Sequence, residues 1–178
     1  MPEQSWLERL IRAIFGADEG SARVASPSAP VTVPSSTVAS NLGMCRLLTT
    51  PDLRAVGLQP DLDQPVANLE DDGTSAYCTY TRASAANGGI EFDIFESDDP
   101  AGTQKTILGE AEGNMVPASL AGVDESLIGT AVSGGPSFAT IVVRKGRIVF
   151  TIAIPPDPEA SDRLVTLANV VLQRLPAS

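Results

Sequence analysis

The sequence contains no histidine, and its 178 residues include only two cysteines, one tryptophan and two tyrosines. Without histidine, the commonest general base and the usual Ser-His-Asp arrangement are missing. Two thiols, Cys45 and Cys78, are too few for a thiolate metal site, and no imidazole can complete one. With 4% aromatic residues, the core has to be built from aliphatic side chains. No stretch approaches the roughly 20 apolar residues that a membrane-spanning helix needs. Basic residues are scarce as well: 12 Lys and Arg face 22 Asp and Glu, for a net charge of -10. That balance offers no footprint for a phosphate backbone and argues against nucleic acid. The first apolar cluster holds Glu8, Arg9 and Arg12, so it does not have the form of a secretory leader. On that ground the expectation is a cytoplasmic protein.

The best-marked stretch is Phe138 to Ile154. Ile148, Phe150, Ile152 and Ile154 alternate with Val149, Thr151 and Ala153, which places the large residues on one face of a pleated strand. Phe138, Thr140 and Val142 similarly oppose Ala139, Ile141 and Val143. Strands apolar on both faces belong in the middle of a sheet. Between the two runs, the pattern predicts a hairpin turn at Lys145-Gly146, with Gly146 supplying a positive φ. Pro155 and Pro156 end the second strand. Asp157 then offers an N-cap oxygen, and Pro158 suits a first helical position. Leu164, Leu167, Ala168, Val171 and Leu175 fall on one helical face that can cover the hairpin. The expected fold class is α+β, an antiparallel sheet with the central hairpin 138–154 under a C-terminal helix.

Upstream the chain divides into a helix (1–16), a linker (17–43) and the α+β domain (44–178). Ser5 and Glu8 form a capping box. Trp6, Leu10 and Ile14 recur at spacing four, as do Leu7, Ile11 and Phe15, giving one apolar side opposite Glu8, Arg9 and Arg12. A helix this short is marginal alone in water and needs a surface. That surface is its own domain, a second copy, a membrane interface or another protein's groove; the balanced polar face disfavours a membrane. Residues 17–43, with Pro27, Pro30 and Pro34, have linker composition. In the domain the residues predict a helix from Pro51 to Gly57 and strands at Tyr77–Thr81 and Ile90–Ile94. A helix follows from Asp99-Pro100 to Leu108, then a strand from Leu127 to Val132. Residues 59–74 are expected to be irregular and acidic.

Acids cluster at Asp61 and Asp63, Glu70-Asp71-Asp72, and Glu96, Asp98 and Asp99. None follows a Ca²⁺-loop register. Arg144, Lys145 and Arg147 make a basic hairpin tip on this acidic body, a candidate contact for a partner. Ser126, beside Asp124 and Glu125, lacks a nucleophile motif and is better explained by turn chemistry. Neither catalytic residues nor a cofactor are assigned. Cys45 and Cys78 can meet in space and close a loop of about 34 residues, worth on the order of 3–4 kcal/mol if bonded. Two buried free thiols fit the spacing equally well.

Three short motifs resemble the uncharacterised actinobacterial cell-envelope lipoproteins: Cys45-Arg46-Leu47-Leu48-Thr49, Cys78 in a following strand, and Gly122-Val123-Asp124-Glu125-Ser126. The resemblance spans about residues 44–175. It implies an α+β domain bridged by Cys45–Cys78 on the outer side of a membrane, and no reaction. At the front the chain departs from that pattern, with helix 5–15 and the linker in place of a leader and a lipidation cysteine. The expected function is a non-catalytic accessory protein that docks on a larger assembly through Trp6, Leu7, Leu10, Ile11, Ile14 and Phe15. The alternative is a domain that binds a small ligand or an envelope component in a cleft beside the sheet.

Overall fold

The computed structural model describes residues 41–69, 74–81, 89–110, 113–132 and 137–176. The chain divides into two units, Met1–Thr37 and Val38–Ser178, and every described residue lies in the second. The expected helix 5–15 and the linker up to residue 40 fall outside the described residues.

Seven strands form one antiparallel sheet: β1 (Val66–Leu69), β2 (Ser75–Thr79), β3 (Glu91–Glu96), β4 (Met115–Pro117), β5 (Glu125–Val132), β6 (Ser137–Lys145) and β7 (Ile148–Ile154). Their spatial order is β1-β2-β3-β7-β6-β5-β4. The predicted hairpin is therefore β6 and β7, and β7 is the middle strand, as apolar residues on both of its faces require. Lys145 still pairs with Ile148, so the turn proper is Gly146-Arg147, one residue later than the sequence pattern places it. Gly146 takes a φ of 57° there. Among the described residues four helices accompany the sheet: α1 (Asn41–Met44), α2 (Thr50–Ala55), α3 (Pro100–Glu110) and α4 (Ala160–Arg174).

Strand register separates the residues into two faces. Ala76, Cys78, Phe92, Ile94, Phe150, Ile152, Ile154, Ile141 and Val143 share one face, each at most 1% exposed. Helix α4 lies on this face, and its Leu164, Leu167, Ala168 and Val171 are fully buried against it. The helix begins at Ala160 rather than directly after Asp157, because residues 158–159 form a turn first. The N-cap position therefore falls on Glu159, which makes no side-chain cap bond, and Pro158 precedes the helix. Asp157 instead accepts the Glu159 N–H at 2.8 Å and holds the turn that leads in. On the opposite face α3 crosses β6 and β7 and buries Gln104 and Ile107. Asp99 starts α3 by accepting the Gly102 N–H at 3.0 Å, with Pro100 at the first helical position as the sequence suggests.

The sequence pattern missed two strands. β1 lies in the stretch expected to be irregular, and β4 carries only three residues. Both are short outermost strands whose burial is incomplete: Val66 is 53% and Val116 56% exposed.

Candidate functional site

A disulfide joins Cys45 to Cys78 with 5.6 Å between their Cα atoms. It ties the α1–α2 corner to the middle of β2. The corner is clasped twice more. The Tyr80 hydroxyl donates to the Leu48 carbonyl at 2.6 Å, and the Arg174 guanidinium reaches back from the end of α4. Arg174 forks onto Asp52 at 2.6 and 2.8 Å and donates to the Leu47 carbonyl at 3.1 Å. Burial works against the charge on Asp52, but hydrogen bonds from Arg174 and from Thr49 outweigh it and hold the carboxyl below its usual range. The Tyr80 phenol is pushed well above its ordinary value, first by burial and then by the negative charges of Asp93 and Asp52. It stays a neutral donor. These groups fasten structure together, and none is poised to give or take a proton.

The hairpin tip is likewise engaged. Arg144 donates through Nε to Gln104 Oε1 at 3.0 Å and lies 3.4 Å from Glu125 and 3.7 Å from Asp124. Asp124 also accepts the Gly146 N–H at 2.7 Å, which anchors the turn. Arg147 pairs with Asp98 at 2.5 Å. Lys145 makes no ion pair among the described residues, so it is the tip's one cation without an acid partner there. The Gly122–Ser126 motif therefore has a structural job. Gly122 turns the chain at a φ of 72°, Asp124 and Glu125 hold the hairpin tip, and Ser126 donates to the Ala118 carbonyl at 2.8 Å.

A third cluster escaped sequence reasoning. Asp93 sits on β3, on the α3 side of the sheet, and is only 2% exposed. Its Oδ2 accepts the Thr151 hydroxyl at 2.7 Å. Tyr77 pairs with it across β2, and Glu91 lies two residues along the same face. Burial pushes the Asp93 carboxyl well above the usual carboxylate range, the Glu91 charge adds to this, and the Thr151 hydrogen bond offsets only part of it. Burial raises the Glu91 carboxyl too, although its side chain keeps an edge on solvent. The only sequence signal was the alternation Glu91-Phe92-Asp93-Ile94, in which the polar positions look like an outward face. Asp93 is sealed away from solvent, which keeps its carboxyl out of reach of a substrate's proton. A hydroxyl that donates to it, as Thr151 does, is not activated as a nucleophile.

Among the described residues no group of three His, Cys, Asp or Glu could hold a metal ion, and no helix is long and apolar enough to cross a membrane. The expected docking residues Trp6, Leu7, Leu10, Ile11, Ile14 and Phe15 lie outside the described residues. No protein-family model matches the chain, and no curated protein matches it. The resemblance to envelope lipoproteins rests on the three motifs alone.

Proposed function

We propose that the protein is a non-catalytic accessory subunit, a disulfide-tied α+β domain attached to a larger protein assembly through the amphipathic stretch Trp6–Phe15. The observation that supports this reading is how the chain divides its work. In residues 41–176 the ion pairs and polar contacts at the α1–α2 corner and the hairpin tip hold the domain itself together, and the buried acid is sealed away. The apolar stripe of residues 5–15 belongs to the other unit of the chain, separated by a proline-bearing segment. Such a stripe anchors at i, i+3, i+4 and i+7 in a partner's groove.

The compartment in this proposal is an oxidising one outside the cytoplasm. The Cys45–Cys78 bond supports it, because glutathione and thioredoxin keep cytosolic thiols reduced. This agrees with the envelope resemblance and departs from the cytoplasmic expectation that the first residues suggest.

The experiment compares what co-purifies from native extract with the full chain, with the chain lacking residues 1–20, and with full-length Leu10→Asp. A discrete partner that is held by the full chain and lost with both variants is the expected result. Equal recovery of that partner by all three would overturn the docking role. Alkylation of the same samples without reductant should leave both thiols unmodified; labelled cysteines would contradict the compartment.

A further inference from the structure

The α3 side of the sheet carries a feature that the docking role does not use: two carboxyls on β3 that make no ion pair among the described residues. The register names what faces Asp93 and Glu91. From β2 come Ser75, Tyr77 and Thr79, and from β7 come Val149, Thr151 and Ala153. From β6, one strand further, come Thr140, Val142 and Arg144. The Arg144 guanidinium is turned to Asp124, Glu125 and Gln104 at the hairpin tip. On α3 the buried Gln104 is neutral and Lys105 is exposed. Tyr80, on the other face, adds only a neutral phenol. Among the described residues, then, the one ionisable group coupled to Asp93 on its own face is a second acid. Its one hydrogen-bond partner there is a hydroxyl. Ser75 Oγ and Thr140 Oγ1, buried on the same face, make no hydrogen bond among the described residues, so neither of them is bonded to the Asp93 carboxyl.

We propose that Asp93 and Glu91 form a proton-operated latch on this face of the sheet, closed when the pair holds its protons and loosened when it is charged. A buried charge without a counter-ion is expensive, and two of them two residues apart on one strand repel as well. The sign follows from linkage. The folded domain binds these protons more tightly than the unfolded chain does. Stability therefore falls as pH rises from the ordinary carboxylate value, near 4, toward the raised native values. The pair releases its protons in steps that belong to both residues together. The domain is tightest while the pair holds its protons and loosens as pH rises through the raised native values.

Thermal unfolding of the full chain at pH 5 and pH 8 tests the latch, with enough salt to screen the repulsion of a chain carrying a net charge of -10. Wild type should lose about 3 °C or more in Tm between the two pH values. Asp93→Asn keeps the shape and removes the titration, so it should lose less than half as much. Asp162→Asn, which removes an exposed charge on α4, should keep the whole loss. Parallel loss in Asp93→Asn and wild type overturns the proposal, as does a wild-type Tm that does not fall. Should Asp93→Asn fail to fold, Glu91→Gln decides: a shallower loss supports the latch, and an unchanged one overturns it.

Discussion

The two faces of this sheet are built from the same strands and held to different standards. Under α4 the sheet buries hydrocarbon, one disulfide and the hydrogen-bonded Tyr80 phenol, and the Phe92 and Phe150 rings meet edge to face at 6.1 Å. Under α3 the same strands bury Asp93, Thr151, Thr140, Ser75 and Gln104 among their apolar neighbours. The first face draws its strength mainly from area removed from water. The second holds polar groups whose burial is tolerable only while they are neutral and bonded. Where two elements pack equally well, it is the chemistry of the buried atoms that decides how the packing responds to its surroundings.

Truncation on the α4 face gives the largest expected effect. Phe150→Ala removes a fully buried ring at the centre of the sheet and should cost about 3–5 kcal/mol in denaturant unfolding. A loss near 1 kcal/mol would mean that this face is not the main source of stability. Next comes the disulfide. Cys45→Ser with Cys78→Ser releases a loop closed across a sequence separation of 33 and should cost on the order of 3–4 kcal/mol, read from the same unfolding curves.

A smaller effect is expected at the corner. Asp52→Asn breaks the fork to Arg174 and weakens the Thr49 contact, and since Arg174 is partly exposed the cost should be about 1 kcal/mol. Its pH sign opposes that of Asp93. The folded Asp52 carboxyl is lowered, so its contribution is present above the ordinary carboxylate value and is lost as pH falls through its native value. The two carboxyls thus bracket the optimum from opposite sides, and stability profiles of the two Asn variants over pH 2–9 should diverge in opposite directions. The least effect belongs to Arg147→Ala at the hairpin tip. Its partner Asp98 is 94% exposed, and the change should stay within about 0.5 kcal/mol of wild type.

Much of the α4 face was legible in the sequence, because alternation with period two and a helical stripe with period 3.6 both point to one buried surface. Ile148 through Ile154 and Leu164 through Val171 carry that signal almost alone. The α3 face was not legible, because Glu91 and Asp93 at alternate positions have the pattern of a solvated surface, and only the tertiary structure reveals what lies over them. Strand β4 failed for another reason. Three residues make no periodic pattern, and its real marker is Gly129 on β5, where a Cβ would sit 2.0 Å from the Asn114 carbonyl oxygen. Close backbone approach leaves no trace in hydrophobicity. The disulfide was open in the spacing and closed only by the fold, which sets Cys45 against the middle of β2.

The contrast between the faces turns on whether Asp93 is an acid or an anion in the folded protein. Carbon-detected NMR of the side-chain carboxyls, followed from pH 3 to pH 9 on the full chain, answers that directly. The account predicts that the Asp93 carboxyl keeps its protonated shift well above the ordinary carboxylate value, near 4. It also predicts that Asp93 moves together with Glu91 when it does titrate. An Asp93 signal that ionises near pH 4, the ordinary carboxylate value, would contradict it.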